Sequence, residues 1–146
     1  MLYFEDLKGK TLIEIIGNKD SDQLYFKTAD LQLFEMMHYQ DCCESVYIED
    51  IVGDLEDVIG SPILLAEEVS QDGEEGYGSS TWTFYKLQTI KGAVTIRWFG
   101  SSNGYYSESV SFSKYEVDLD SLVNDPYRYS HLLTEEEKAL LLLGQY

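Results

Sequence analysis

Thr81-Trp82-Thr83-Phe84-Tyr85-Lys86-Leu87-Gln88-Thr89-Ile90-Lys91-Gly92-Ala93-Val94-Thr95-Ile96-Arg97-Trp98-Phe99 is the stretch that decides the fold. It is rich in β-branched and aromatic residues, the types that fit a pleated, half-buried surface. Large apolar residues alternate with polar ones on both sides of Lys91-Gly92, a turn signal. The reading is a β-hairpin, Thr81–Ile90 against Ala93–Phe99. A third strand, Tyr105–Val117, is expected after Ser102-Asn103-Gly104, because Asn-Gly is the strongest short hairpin signal. Trp82 and Phe84 are assigned to one apolar face with Val94, Ile96, Trp98, Val110 and Phe112. The other face would carry Thr83, Tyr85, Thr95, Arg97, Ser109 and Ser111.

Toward the N-terminus, Thr11–Ile16, Gln23–Thr28 and Leu31–Tyr39 are apolar-rich runs separated by turn residues, which predicts an antiparallel meander. The period then changes. Ile48, Ile51, Val52, Leu55, Val58 and Ile59 recur at three- and four-residue steps, which predicts a helix over about 48–59. Gly60 and Pro62 stand where a helix stops. Ile63–Val69 returns to a strand. Near the C-terminus, Thr134 and Glu137 form a capping-box signature ahead of apolar Leu140–Leu143, so a short helix is expected over about 134–143. The expected fold class is α+β: a mostly antiparallel sheet of six to seven strands, one acidic helix and a short C-terminal helix. Residues 1–117 read as one domain and 118–146 as an extension. The terminal helix is too apolar to stand free. Docking on its own domain is expected, with a homodimer through this helix as the alternative.

Charge is the second strong signal. From Thr28 to Tyr85 there is no lysine or arginine, while the stretch holds fourteen carboxylates, and the chain carries −17 overall on 146 residues. Twelve tyrosines and 14% aromatic content separate it from disordered acidic tails, which lack such residues. The acidity therefore belongs to a folded surface. Duplex DNA and anionic membranes would be repelled, because binding either relies on lysine and arginine. A field of one sign acts on partners and association rates. The N-terminal residues show no signal-peptide pattern and no run approaches membrane-spanning length, so a cytoplasmic protein is expected.

These features favour a non-catalytic binding protein whose partner is a basic, nucleic-acid-binding protein. Glu49, Asp50, Asp54, Glu56, Asp57, Glu67 and Glu68 are the expected contact residues, with Tyr105 and Tyr106 as aromatic anchors. An alternative is a small-molecule binder that sequesters a nucleotide signal through Arg97, Tyr85, Trp98, Asp41 and Glu44, by charge and stacking. A weaker third reading is a metal-dependent enzyme using His38, Asp41 and Cys42. Adjacent Cys42 and Cys43 lack the paired spacing of structural zinc, make no disulfide framework, and read as small buried hydrophobes. No catalytic or cofactor motif stands out, and no cofactor or enzymatic activity is expected.

Three segments carry a resemblance: Tyr39-Gln40-Asp41-Cys42-Cys43-Glu44-Ser45-Val46-Tyr47-Ile48-Glu49-Asp50-Ile51, Thr95-Ile96-Arg97-Trp98, and Ser102-Asn103-Gly104-Tyr105-Tyr106-Ser107-Glu108-Ser109-Val110. Together they resemble a small domain family of unknown function, frequent in bacteriophages and in their bacterial hosts, over residues 5 to 117. The resemblance implies a viral or mobile-element setting, in which small acidic proteins often act against host defence. It implies no activity.

Overall fold

The computed structural model describes residues 2–73 and 78–144. Glu74 and Glu75, two carboxylates of the acidic stretch, lie outside the described residues. Eight strands form two antiparallel four-stranded sheets. The first sheet has the order β1 (Leu12–Ile16), β2 (Gln23–Thr28), β3 (Leu33–Met37) and β8 (Ser111–Tyr115). The second has the order β4 (Ser45–Val52), β7 (Gly92–Ser102), β6 (Ser79–Thr89) and β5 (Leu65–Asp72). The fold is thus mostly antiparallel β with few helices, and its strands divide into two sheets where a single one of six to seven was expected.

The sheets share one core. Leu24, Phe26, Phe34 and Met36 from the first meet Ile48, Tyr85, Leu87, Val94, Ile96 and Trp98 from the second. The 3-10 turn Phe4–Leu7 seals one end, with Phe4 edge-on to Tyr85 at 4.8 Å and to Phe112 at 5.2 Å. Each such side chain contributes about 1.5–3 kcal/mol by leaving water.

The expected helix over 48–59 does not form. Ser45–Val52 is strand β4, and only Leu55–Val58 turns, as a single 3-10 turn capped by Asp54. The cause of the misreading is a β-bulge. Ile48 pairs with Trp98 and Asp50 with Arg97, which leaves Glu49 as an extra residue. A bulge puts two residues opposite one. It stretches the inward step from two to three, so Ile48 and Ile51 both turn inward at helical spacing. Gly53 then closes the strand at φ 103°, where a Cβ would meet the Ala93 carbonyl at 2.5 Å.

The third predicted strand is also shorter than expected, since Tyr105–Val110 precedes β8 as irregular chain. The C-terminal helix forms as α2 (Glu135–Leu143), with Thr134 and Glu137 making the capping box. A further short helix, α1 (Leu119–Asn124), was not anticipated. Both lie on the outer face of the first sheet. Leu122, Tyr129, Leu132 and Leu133 bury there against Tyr25 and Leu33, with Leu141 partly buried beside them. The tail therefore docks on its own domain.

One buried lysine fastens it to the sheet and a second ties the tail together internally. Lys27 Nζ contacts Glu14 Oε1 at 2.8 Å and Glu137 Oε1 at 2.7 Å. Lys138 Nζ donates to the Pro126 carbonyl, Ser130 Oγ and Glu135 Oε1. Burial beneath the tail, with the Glu35 carboxylate beside it, pushes Tyr25 up to about 12.

Candidate interaction face

The outer face of the second sheet has no such cover among the described residues. Its composition follows from the β6–β7 hairpin. Thr89 pairs with Gly92 across a two-residue loop, Ile90-Lys91, so every even residue of one strand faces an odd residue of the other. Trp82 stands opposite Phe99 and Phe84 opposite Arg97, whereas Thr83 faces Trp98 and Tyr85 faces Ile96. This corrects the assignment of faces made from alternation alone. Trp82 and Phe84 do not share a face with Val94, Ile96 and Trp98; Thr83 and Tyr85 do.

The outer face is consequently aromatic. The Trp82 ring lies 4.6 Å from Phe99 and 6.3 Å from Phe84, and Tyr47 of β4 lies 6.1 Å from Phe99. Arg97 sits over Trp82 at 5.8 Å, a cation–π geometry. The bulge in β4 presents two carboxylates to it: Arg97 Nε donates to Glu49 Oε2 at 2.5 Å, and its terminal nitrogen lies 3.6 Å from Asp50. Trp82, Phe84 and Phe99 are half-buried, while Tyr47 is 44% exposed and Val69 36%. Glu67 of β5 stands opposite Lys86 on the same face.

The expected contact residues are thus split. Glu49, Asp50 and Glu67 share the open face. Asp54, Glu56 and Asp57 belong to the 3-10 turn at its end, where Asp54 accepts from the Glu56 amide. Glu68 projects to the opposite side of β5 from Glu67. Tyr105 and Tyr106 pack edge to face at 5.0 Å on the loop before β8, with Tyr105 83% exposed.

The residues of the ligand alternative do not converge. Tyr85 and Trp98 are in the core, and Trp98 Nε1 donates to Met36 Sδ. Arg97 is on the other side of the sheet and engaged by Glu49 and Asp50. Asp41 is exposed on the β3–β4 connection, and Glu44 is buried there.

His38 and Glu44 make a structural lock on that connection. Glu44 accepts from His38 Nε2 at 2.7 Å and from the amides of Asp41 and Cys42 at 2.8 Å each. His38 Nδ1 meets the Ser109 carbonyl at 2.7 Å. Both partners of the ring are acceptors, so both ring nitrogens donate when the two bonds coexist. Burial raises the Glu44 carboxyl, but the two amides and His38 outweigh it and hold the pKa at about 2. His38 therefore faces Glu44 rather than Cys42. Cys42 and Cys43 are exposed and bonded to each other through sulfur, against the expectation of buried free thiols. Among the described residues, no group of three or more His, Cys, Asp or Glu side chains is arranged to hold a metal.

One cluster escaped the sequence reading. Glu108 is 9% exposed and accepts from the hydroxyls of Ser79, Thr81 and Ser102 at 2.5, 2.7 and 2.6 Å. Burial raises its carboxyl, yet these hydroxyls hold it below its usual value. Its three donors come from two different strands, so only the hairpin register brings them together.

The molecule is, in class, a two-sheet antiparallel β protein with one outer face sealed by its tail and one left open among the described residues. It belongs to the DUF7448 family, a domain of unknown function, whose model matches residues 5–112. No curated protein and no solved structure matches the chain. No helix among the described residues is long and apolar enough to cross a membrane.

Proposed function

We propose that this protein is a non-catalytic binding module that holds a basic protein against the open face of its second sheet. The observation that carries the reading is the half-buried aromatic patch of Tyr47, Trp82, Phe84 and Phe99 around Arg97, which no segment among the described residues covers as the tail covers the first sheet. Aromatic residues with an arginine among them are the usual anchors of protein interfaces. The net charge of −17 selects the sign of the partner and opposes self-association through this face. In the viral setting implied by the family resemblance, the partner would be a nucleic-acid-binding host protein whose basic surface is blocked.

The test is capture from a bacterial lysate at low and high salt, with wild type and Trp82→Ala side by side. The expected result is one basic protein retained by wild type at low salt, released at high salt, and lost with Trp82→Ala. Capture that ignores salt, or that survives the substitution, sinks the reading. Screening makes the salt dependence a requirement, because exposed charge pairs weaken beyond a Debye length of about 8 Å at physiological ionic strength.

A further inference from the structure

The β5 edge of the second sheet is where the binding reading can be made specific. β5 is the terminal strand of its sheet, and all eight of its residues pair with β6 without a break, from Leu65 opposite Gln88 to Asp72 opposite Thr81. Natural edge strands are usually blunted by lysine, proline or a bulge. β4, the other edge of this sheet, has its bulge at Glu49, and β1 is irregular between Leu12 and Glu14. β5, Leu-Ala-Glu-Glu-Val-Ser-Gln-Asp, has no lysine, proline or bulge, and the Phe4–Leu7 turn lies against it through Glu5, which leaves Ser70 to Asp72 as the open part of the edge.

Its outward hydrogen-bonding groups can be located. The Glu68 amide donates to Glu5 Oε2 at 2.9 Å, away from β6. Amides alternate in direction along an antiparallel strand, so those of Ser70 and Asp72 point the same way. Neither has a partner among the described residues.

A polar cleft of about 280 Å³ opens beside this edge, lined by Glu68, Ser70, Thr81, Thr83 and Glu108. Glu108 is a buried carboxylate kept charged by hydroxyls alone, with no lysine or arginine reaching it among the described residues. Buried charges are ordinarily paired with an opposite charge. Burial raises the neighbouring Glu68, with the Tyr85 hydroxyl working against it and the Glu5 carboxylate adding to it. The fixed negative charge of the cleft is that of Glu108, and no cation answers it among the described residues. On the opposite side of β5, Val69 is exposed beside Phe84.

We propose that β5 accepts an extended segment of a partner protein as a fifth strand of the sheet, with alternating cationic and apolar side chains. Backbone bonds to the free amides and carbonyls around Ser70 and Asp72 give the strand its place. Its cationic side chains enter the cleft of Glu68 and Glu108, and its apolar ones lie against Val69 and Phe84, since side chains of a strand alternate between faces. Pairing with the same strand of a second copy is opposed by charge, since β5 carries Glu67, Glu68 and Asp72 and no cation. This inference rests on the binding reading above but uses the edge of the sheet rather than its aromatic face.

The test uses the full chain and an eight-residue peptide of alternating valine and lysine. Two controls accompany it: a block peptide of the same composition, and the alternating peptide N-methylated at every second residue. Binding is followed by fluorescence anisotropy, and the amides of Ser70 and Asp72 by NMR exchange. The alternating peptide is expected to bind at least tenfold tighter than both controls and to slow exchange at Ser70 and Asp72. Ser70→Pro is expected to lose tenfold or more, and Glu68→Gln to weaken binding and flatten its salt dependence. Equal binding of the alternating and N-methylated peptides overturns strand addition, whether or not Ser70→Pro folds. Equal binding of the block peptide overturns it as well, leaving charge attraction alone. Failure here is separable from failure of the open-face reading, because that one is decided by Trp82→Ala in the lysate capture.

Discussion

The two outer faces of this molecule began with similar chemistry and ended differently. Each sheet places aromatic and aliphatic side chains on the side away from the shared core: Tyr25, Leu33 and Tyr115 on the first, Trp82, Phe84 and Phe99 on the second. On the first, the tail after β8 supplies a lid of Leu122, Tyr129, Leu132 and Leu133. On the second it supplies nothing among the described residues. A covered apolar face contributes to stability, whereas an uncovered one is free to meet a partner, the role proposed for it above. The comparison can be broken at either face, and the two breaks should have opposite signatures.

The largest effect is expected at the lid. Tyr129 is 1% exposed, packs on Tyr115 at 6.3 Å, and its hydroxyl accepts the Asp118 amide at 3.0 Å. Tyr129→Ala removes a buried aromatic and leaves that amide unpaired. A loss of about 3 kcal/mol in urea unfolding is expected, since aromatic-to-alanine changes in cores cost that much or more. Tyr25 is the internal reporter. Burial under the lid pushes its pKa up to about 12; with the lid loosened that contribution should shrink and the pKa should fall, while the push from Glu35 stays. A Tyr129→Ala protein with unchanged stability and an unchanged Tyr25 titration would mean that the lid does not seal this face.

How much of this contrast was legible in the sequence depends on the range of the interaction involved. The α2 capping box was readable because Thr134 and Glu137 act within one turn. The β6–β7 hairpin was readable because its turn is two residues long. The same turn decides which residues share a face, and that parity was misread when apolar residues of both strands were placed together. The bulge at Glu49 was invisible, since nothing local distinguishes a strand with one extra residue from a helical stripe. The lid could be expected from the apolarity of Leu140–Leu143, yet its fasteners could not. Lys27 and Glu137 are 110 positions apart and meet only in the folded chain. Glu108 was overlooked for the same reason, its hydroxyl partners coming from separate strands.

The second prediction concerns those fasteners and pH. Burial raises Glu137, but the Lys27 ammonium and the Thr134 amide outweigh it and leave the carboxyl below its usual value. A carboxyl whose folded pKa is lowered supplies stability that is complete above the unfolded value and disappears as pH falls through the folded one. Tail docking should therefore hold at neutral pH and weaken under acid. Glu137→Gln should cost about 1–2 kcal/mol at pH 7, discounted from a fully buried pair because Glu137 keeps partial solvent access. The same variant should flatten the stability profile below pH 4.5. A variant whose stability falls as steeply under acid as wild type would remove Glu137 from the account.

At the open face the order of effects should invert. Trp82 is half-buried, so Trp82→Ala should cost about 1 kcal/mol of stability from its reduced transfer term. Its effect on the captured partner should be larger, at about 2 kcal/mol or some thirtyfold in Kd, the scale of an interface anchor. Isothermal titration beside thermal unfolding measures both. A large stability loss with unchanged affinity would make Trp82 a core residue of a second, unrecognised cover and erase the distinction between the faces.

The smallest effect sharpens the comparison most. Glu56 belongs to the acidic stretch that first suggested a basic partner, yet it is exposed on the 3-10 turn beyond the end of β4 and makes no ion pair among the described residues. If the open face is a shaped site, Glu56→Gln should change stability by less than about 0.5 kcal/mol, as surface changes do. It should change affinity only through the general field, by a factor that shrinks toward unity as salt is raised. Glu49→Gln, which strips Arg97 of its closest carboxylate, should weaken binding more than Glu56→Gln at every salt concentration, because it alters the geometry of the Arg97–Trp82 pair as well as the charge. Equal losses from the two variants, vanishing together at high salt, would mean that charge number alone recruits the partner. The aromatic face would then be a bystander to its own electrostatics.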